Sequence, residues 1–254
     1  MYRKTKGLVL RETEYKDADK LLTILSGEFG KMTIKARGVR KASSRMKGAC
    51  QLLTYSEFTL LDYNGYLVIT EAEPLELFPG LRSDLELLAL ASYFAQVAEV
   101  VSQEDSPNGT LLSLTLNALY ALSKLKLPQK LVKAAFELKT AAIAGFEPEL
   151  TACPVCGRTT PDRFDVRLGT VHCAECRLEE EAGLRLPVSP GTLAAMRHIV
   201  YGDPRRLFSF RLQAQSLDEL AGIAETYLTT QLEYGFYTLD FYKNLFIAQG
   251  KEYV

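Results

Sequence analysis

The chain has 254 residues, 47% apolar and 24% charged, with a formal net charge of −1. That is the composition of an ordinary soluble globular protein, long enough for one large or two to three smaller domains. Neither a membrane-spanning nor a secreted protein is expected. The most apolar stretch, Leu85 to Val101, is broken by Glu86, Ser92, Tyr93, Gln96 and Glu99, and the apolar run Gly7 to Leu10 is too short for a signal peptide. A cytosolic place is expected.

The first 75 or so residues read as strands. Leu8-Val9-Leu10, Lys20 to Leu25 and Met32 to Ala36 are short, apolar and rich in β-branched residues, with a hairpin-length turn at Gly27-Glu28-Phe29-Gly30. Leu52 to Leu61 and Tyr66 to Ala72 flank Asn64-Gly65, a strong short-range hairpin signal. Five short strands suit a small closed barrel, and five is the number in an OB-fold.

The near-neutral net charge hides an asymmetry. Residues 1–48 hold 13 Lys/Arg against 5 Asp/Glu, a balance of +8, and the rest of the chain carries −9. Within Lys31 to Lys47 lie Lys31, Lys35, Arg37, Arg40, Lys41, Arg45 and Lys47, without one acid. A solvated loop would explain a random run of charge. This one is long, acid-free, interspersed with Gly38, Ser43 and Ser44, and placed in and after the third strand, where OB barrels bind single strands; a nucleic-acid partner is favoured.

From Pro79 the spacing becomes helical. Leu81, Leu85, Leu88, Ala91 and Ala95 recur at three and four residues, with Ser83 as N-cap. Further helices are predicted over Leu111–Lys124, Pro128–Ala144, Pro190–Val200, Leu217–Leu232 and Gly235–Phe246, with Gly145 ending the third. The aromatic run from Tyr234 to Tyr242 is read as helical core packing in preference to base stacking.

Cys153-Pro-Val-Cys156 and Cys173-Ala-Glu-Cys176, sixteen residues apart, have the spacing of a four-thiolate zinc site. Each pair fits a tight turn, and the intervening hairpin, framed by Pro148 and the acidic run Glu179-Glu180-Glu181, brings the second turn back to the first. One Zn²⁺ held by Cys153, Cys156, Cys173 and Cys176 leaves no open position, so the role is structural. A thioredoxin-type redox pair or two disulfides fit less well. His172 is expected at the surface, and Cys50 is an ordinary core or surface residue.

No catalytic constellation is present. The histidines are two, His172 and His198. No His-x-Glu accompanies the cysteines as a zinc deaminase requires, and phosphate-loop, dinucleotide and nucleophile-elbow motifs are lacking. The acidic pairs Glu12/Glu14 and Asp17/Asp19 read as exposed strand or turn residues. The expectation is a non-enzyme, with a metal- or carboxylate-dependent nuclease as a rival.

The motifs together resemble one family. Gly7-Leu8-Val9-Leu10, Tyr15-Lys16-Asp17-Ala18-Asp19, Ser26 through Gly30-Lys31, Lys35-Ala36-Arg37-Gly38-Val39-Arg40, Ser43-Ser44 and Ala144-Gly145-Phe146-Glu147-Pro148-Glu149-Leu150 are similar to the RecO family of bacterial recombination mediators. The resemblance covers essentially the whole chain. It departs at Asp17, where Glu is commoner, and at Tyr237-Thr238-Leu239, where a basic-Ser-Leu sequence is commoner.

The resemblance implies an α+β multidomain protein. Its parts would be an N-terminal five-stranded OB-fold barrel (1–79), a helical domain in two parts (80–149 and 183–254) and an inserted four-cysteine zinc ribbon (150–182). It also implies binding of single- and double-stranded DNA, annealing of complementary strands, and loading of recombinase in the RecF pathway. RecR and single-stranded-DNA-binding protein would be the partners, and the place cytoplasmic and nucleoid-associated. Lys35, Arg37 and Arg40 carry over as DNA contacts, with Lys31, Lys41, Arg45 and Lys47 as phosphate contacts. The alternatives are a sequence-specific regulator reading DNA through the ribbon, and a protein-interaction adaptor.

Overall fold

Residues 55–63 alternate between half-exposed and buried, with Ser56, Phe58 and Leu60 turned inward. That period-2 pattern makes a strand with one face on a core. Residues 30–36 repeat it with Met32, Ile34 and Ala36 inward. In the computed structural model, which describes residues 2–176 and 183–248, five such strands close on themselves: β1 (Tyr2–Tyr15), β2 (Asp19–Ser26), β3 (Gly30–Ala36), β4 (Tyr55–Tyr63) and β5 (Tyr66–Glu76). Their order is β1-β2-β3-β5-β4, a closed barrel. β4 completes it against β1, from Tyr2 opposite Leu61 to Leu8 opposite Tyr55. The only parallel contact between these strands joins β3 and β5, Ile34 to Leu67 and Lys35 to Val68.

Val9, Leu22, Ile24, Ile34, Phe58, Leu60 and Ile69 fill the barrel. Truncating Phe58, fully buried there, to Ala would cost about 3–5 kcal/mol. Cys50 belongs to the same core, and burial pushes its thiol up to about 12.

Seven helices are present among the described residues: α1 (Pro79–Arg82), α2 (Leu85–Val101), α3 (Gly109–Ser123), α4 (Gln129–Ile143), α5 (Pro190–Tyr201), α6 (Ala214–Leu232) and α7 (Tyr237–Ala248). The cap of α2 is Asp84, not Ser83. Its carboxylate accepts the amides of Glu86 at 2.8 Å and Leu87 at 3.1 Å, while Ser83 closes α1. The carboxylate adds favourable charge at the helix N-terminus.

The chain divides into two compact units, Leu127–Gly235 and the remainder. In the unit that holds the barrel, α2, α3 and α7 accompany it. Phe236 meets Tyr93 edge-on at 5.5 Å, and Leu239 and Tyr242 are buried, whereas Tyr237 and Phe241 remain exposed. In the other unit α4 packs on α6, and three short strands, β6 (Arg163–Asp165), β7 (Thr170–His172) and β8 (Arg185–Pro187), form a sheet of order β7-β6-β8. Buried Lys133 is paired with Glu137 at 2.8 Å and Glu225 at 2.7 Å, which compensates a charge that could not otherwise stay inside. The acidic run Glu179-Glu180-Glu181 lies outside the described residues.

Candidate metal centre and nucleic-acid face

Both Cys-x-x-Cys segments are bent into turns by their own backbone. The amide of Gly157 donates to the Cys153 carbonyl at 2.9 Å, and that of Cys176 to the Cys173 carbonyl at 3.1 Å. The β6–β7 hairpin, Arg163 opposite His172, brings the second turn to the first. All four sulfurs then lie within 4.8 Å of one another, with Cys156 and Cys173 at 3.6 Å. A tetrahedral ion with sulfur at about 2.3 Å requires sulfur–sulfur edges of about 3.8 Å. The cluster is therefore already sized for a four-thiolate metal ion, and no fifth ligand is needed.

The thiols are unequal. Burial opposes ionisation of Cys153, but the backbone amides of Cys156, Cys173 and Val155 outweigh it and bring the thiol down to about 6. Burial together with its sulfur neighbours pushes Cys173 up to about 11, and the hydrogen bond with Cys156 is the first cause that pushes Cys176 up to about 12. Four thiolates this close repel one another, and a divalent cation relieves that repulsion. Arg158 faces the same negative charge.

His172 is not at the surface, as the sequence suggested. It is 1% exposed, outside the sulfur cluster, with Nδ1 3.1 Å from the Cys173 carbonyl. Both Val171 and His172 are buried, so both faces of β7 are covered.

Side chains from two helices tie the cysteine region down. From α5, Arg197 donates to the carbonyls of Leu150 and Thr151 at 2.8 Å and of Thr159 at 2.7 Å. Tyr201 donates to Pro148 at 2.9 Å and accepts the Leu150 amide at 3.0 Å. From α6, Tyr227 donates to Phe146 at 3.0 Å and Gln231 to Val166 at 2.9 Å. Peptide carbonyls are obligatory acceptors, so these bonds fix the loops that carry the cysteines.

The second feature is one end of the barrel. Register places Tyr15 opposite Asp19, Lys20 opposite Ala36, and Tyr63 opposite Tyr66. The last residues of β1 and β3 therefore gather with the first of β2, and the β4–β5 turn adjoins the second half of β3, where Ile34 pairs with Leu67 and Lys35 with Val68. The basic segment leaves β3 here. Its path is set by Asp19, which accepts the Gly38 amide at 2.8 Å and pairs with Lys35 at 3.1 Å. Asp19 is no exposed turn residue: its side chain is 18% exposed. Gly38, at φ +63°, supplies the left-handed bend, and the Arg40 amide then reaches the Ala18 carbonyl at 3.0 Å.

The seven cations divide by their partners. Lys31 donates to the Glu99 carbonyl near the end of α2 at 3.0 Å, Lys35 pairs with Asp19, and Arg40 pairs with Glu14 at 3.1 Å. Arg37, Lys41, Arg45 and Lys47 are exposed and, among the described residues, have no carboxylate within 4.0 Å. Four cations without a carboxylate partner can take up phosphates without breaking an ion pair.

Two family models match this chain. One, described as recombination protein O N terminal, covers residues 1–78; the other, recombination protein O C terminal, covers 82–239. The chain belongs to the RecO family. Similar curated proteins include the DNA repair protein RecO of Acetivibrio thermocellus, 34% identical over 247 residues, 96% of this chain and 97% of that one. The protein of the same name from Desulforamulus reducens is 30% identical, covering 96% of this chain and 94% of its own. That of Alkaliphilus metalliredigens is 28% identical, covering 92% and 95%. The first RecO model ends two residues after β5, so it encloses the OB-fold barrel, and the second holds the four-cysteine cluster.

Sequence reasoning missed the tyrosines at this end of the RecO barrel. Lys35 lies 4.6 Å and Lys16 5.4 Å from the Tyr15 ring centre, and Arg37 lies 5.2 Å from that of Tyr63. The available signal was a tyrosine on each side of Asn64-Gly65, where hairpin tips are ordinarily polar.

Proposed function

We propose that this protein is a non-enzymatic DNA repair mediator that binds single- and double-stranded DNA through the basic end of its barrel and pairs complementary strands. It would act in the RecF pathway with RecR and single-stranded-DNA-binding protein, helping to load recombinase. The observation that carries the reading is the exposed set Arg37, Lys41, Arg45 and Lys47, beside Lys35 and Arg40, on a closed OB barrel in a RecO-family chain. Phosphates neutralised at such a face no longer repel a second strand, which is the physical requirement for annealing. Lys31 is a weaker phosphate contact in this reading, since its amine already serves the Glu99 carbonyl.

The four cysteines would hold one structural Zn²⁺. An all-sulfur, closed set of this size suits Zn²⁺ better than a hard oxygen-seeking cation, and the ion would supply charge compensation and cross-linking, with no reaction at the metal. No described helix is long and apolar enough to cross a membrane; a cytoplasmic, nucleoid-associated protein accords with the DNA reading.

Binding to labelled oligonucleotides across a salt series tests this. Four to six phosphate contacts predict a slope of log K against log salt of roughly −3 to −4 on single strands. Strong preference for one duplex sequence would favour a regulator, and partner binding without nucleic-acid affinity would favour an adaptor.

A further inference from the structure

The barrel end that carries Lys35 and Arg37 presents tyrosines that its own packing does not use. Tyr66 is 71% exposed, Tyr63 52% and Tyr15 38%. Scattered exposed aromatics need no explanation. These are not scattered. Tyr63 and Tyr66 stand opposite one another across a two-residue turn, and residues directly opposite in an antiparallel pair project from the same side of the sheet. The turn has positive φ at both central positions, +52° at Asn64 and +77° at Gly65. That is the tight hairpin geometry that pins register and so pins both rings.

The two aromatic positions are linked by two cations, Lys35 near the end of β3 and Arg37 just past it. Lys35 sits 4.6 Å from the Tyr15 ring and Arg37 5.2 Å from the Tyr63 ring. Exposed rings beside cations are suited to a flat, polarisable guest, while the cations remain within reach of a backbone phosphate. A duplex cannot offer that guest, because its bases are already stacked on each other. An unpaired strand can.

We propose that Tyr63 and Tyr66, with Tyr15 across Lys35 and Arg37 from them, are a stacking platform for unpaired nucleobases, and that this platform gives the basic face a preference for single strands. The inference rests on the DNA-binding reading above and adds what that reading lacks. Cations alone give no preference for an unpaired strand, since a duplex has the higher charge density, whereas rings distinguish strands by whether a base face is free. Each stacked base then contributes about 5- to 150-fold in affinity. The hydroxyls are not required, so phenylalanine serves as well as tyrosine.

The chain contains no tryptophan, so Tyr66→Trp places a single tryptophan, excited selectively at its red edge, at the site. The full-length variant is titrated with a labelled oligothymidine and with a labelled duplex, reading DNA anisotropy and tryptophan emission together. Emission should be quenched on the single strand and unchanged on the duplex. The double variant Tyr63→Ala/Tyr66→Ala should bind the single strand roughly 10- to 100-fold more weakly, with duplex affinity and salt slope retained. Tyr63→Phe/Tyr66→Phe should match the parent. Both tyrosines are exposed, so an unchanged melting curve separates this loss from misfolding. If anisotropy reports bound single strand while emission stays constant and the alanine variant binds like the parent, the platform is wrong and the DNA reading stands. If the parent binds no DNA, the DNA reading falls and the platform with it.

Discussion

Asp19 accepts the amide of Gly38 at 2.8 Å, and this one bond sets where the basic segment leaves the barrel. With Lys35 assisting and burial opposing, the Gly38 amide holds the Asp19 carboxyl below its ordinary 3.8. The folded value is depressed relative to the unfolded one, so the stabilisation is complete above about pH 4 and is lost as pH falls through the folded value.

Asp19→Ala should therefore destabilise the barrel by about 1–2 kcal/mol in urea unfolding at neutral pH. Hydrogen exchange at Gly38 should accelerate. Asp19→Asn, which keeps an acceptor but loses the charge, should fall between. As pH falls through the depressed Asp19 value, the parent should lose its advantage over Asp19→Asn. Exchange at Gly38 unaltered in Asp19→Ala would show that the loop is held by something else.

The cations should separate by role. Replacing Arg37, Lys41, Arg45 and Lys47 with Glu should leave the melting temperature within a few degrees while flattening the salt dependence, by about 0.7 in slope for each phosphate contact removed from a single strand. Lys35→Glu should behave differently, because it sets two carboxylates facing each other at the Asp19 pair and costs stability as well as binding. Equal stability losses in both variants would refute the division.

The metal centre predicts one equivalent of zinc in freshly purified protein. Cys153→Ser should lose it and unfold the cysteine region while the barrel persists, since structural zinc contributes on the order of 10 kcal/mol to its own module. Limited proteolysis should cut within residues 150–176 first. Metal-free protein with a protected cysteine region would contradict the assignment.

Arg197 holds three carbonyls around the first cysteine pair. Arg197→Ala should weaken zinc retention by about 10- to 100-fold in a chelator competition. Arg197→Lys should rescue little, because one ammonium cannot reproduce the guanidinium fork. Retention equal to the parent would mean that the loops are organised by the metal alone.

What could be read from the chain was what short range determines. Cysteine spacing is local, because each pair must turn within four residues to aim two sulfurs at one ion. Strand alternation and the Asn64-Gly65 turn are local too, and so the five-stranded barrel was legible. Long-range partners were not. Nothing near Lys31 in sequence indicates that its amine meets Glu99, 68 residues away, nor that Asp19 binds across to Gly38. Ser83 and Asp84 are both good caps, and only the observed backbone distinguishes them. His172 looked polar enough for the surface, and only folding shows that both faces of β7 are buried. The tyrosines of the β4–β5 turn were visible, but their meaning came from Arg37, which folding brings to the Tyr63 ring.

The most direct test of the mediator reading is annealing of two complementary oligonucleotides coated with single-stranded-DNA-binding protein. The parent should accelerate pairing without cleaving either strand, and the Arg37/Lys41/Arg45/Lys47→Glu variant should not. Intact DNA binding with no acceleration by the parent would contradict the account.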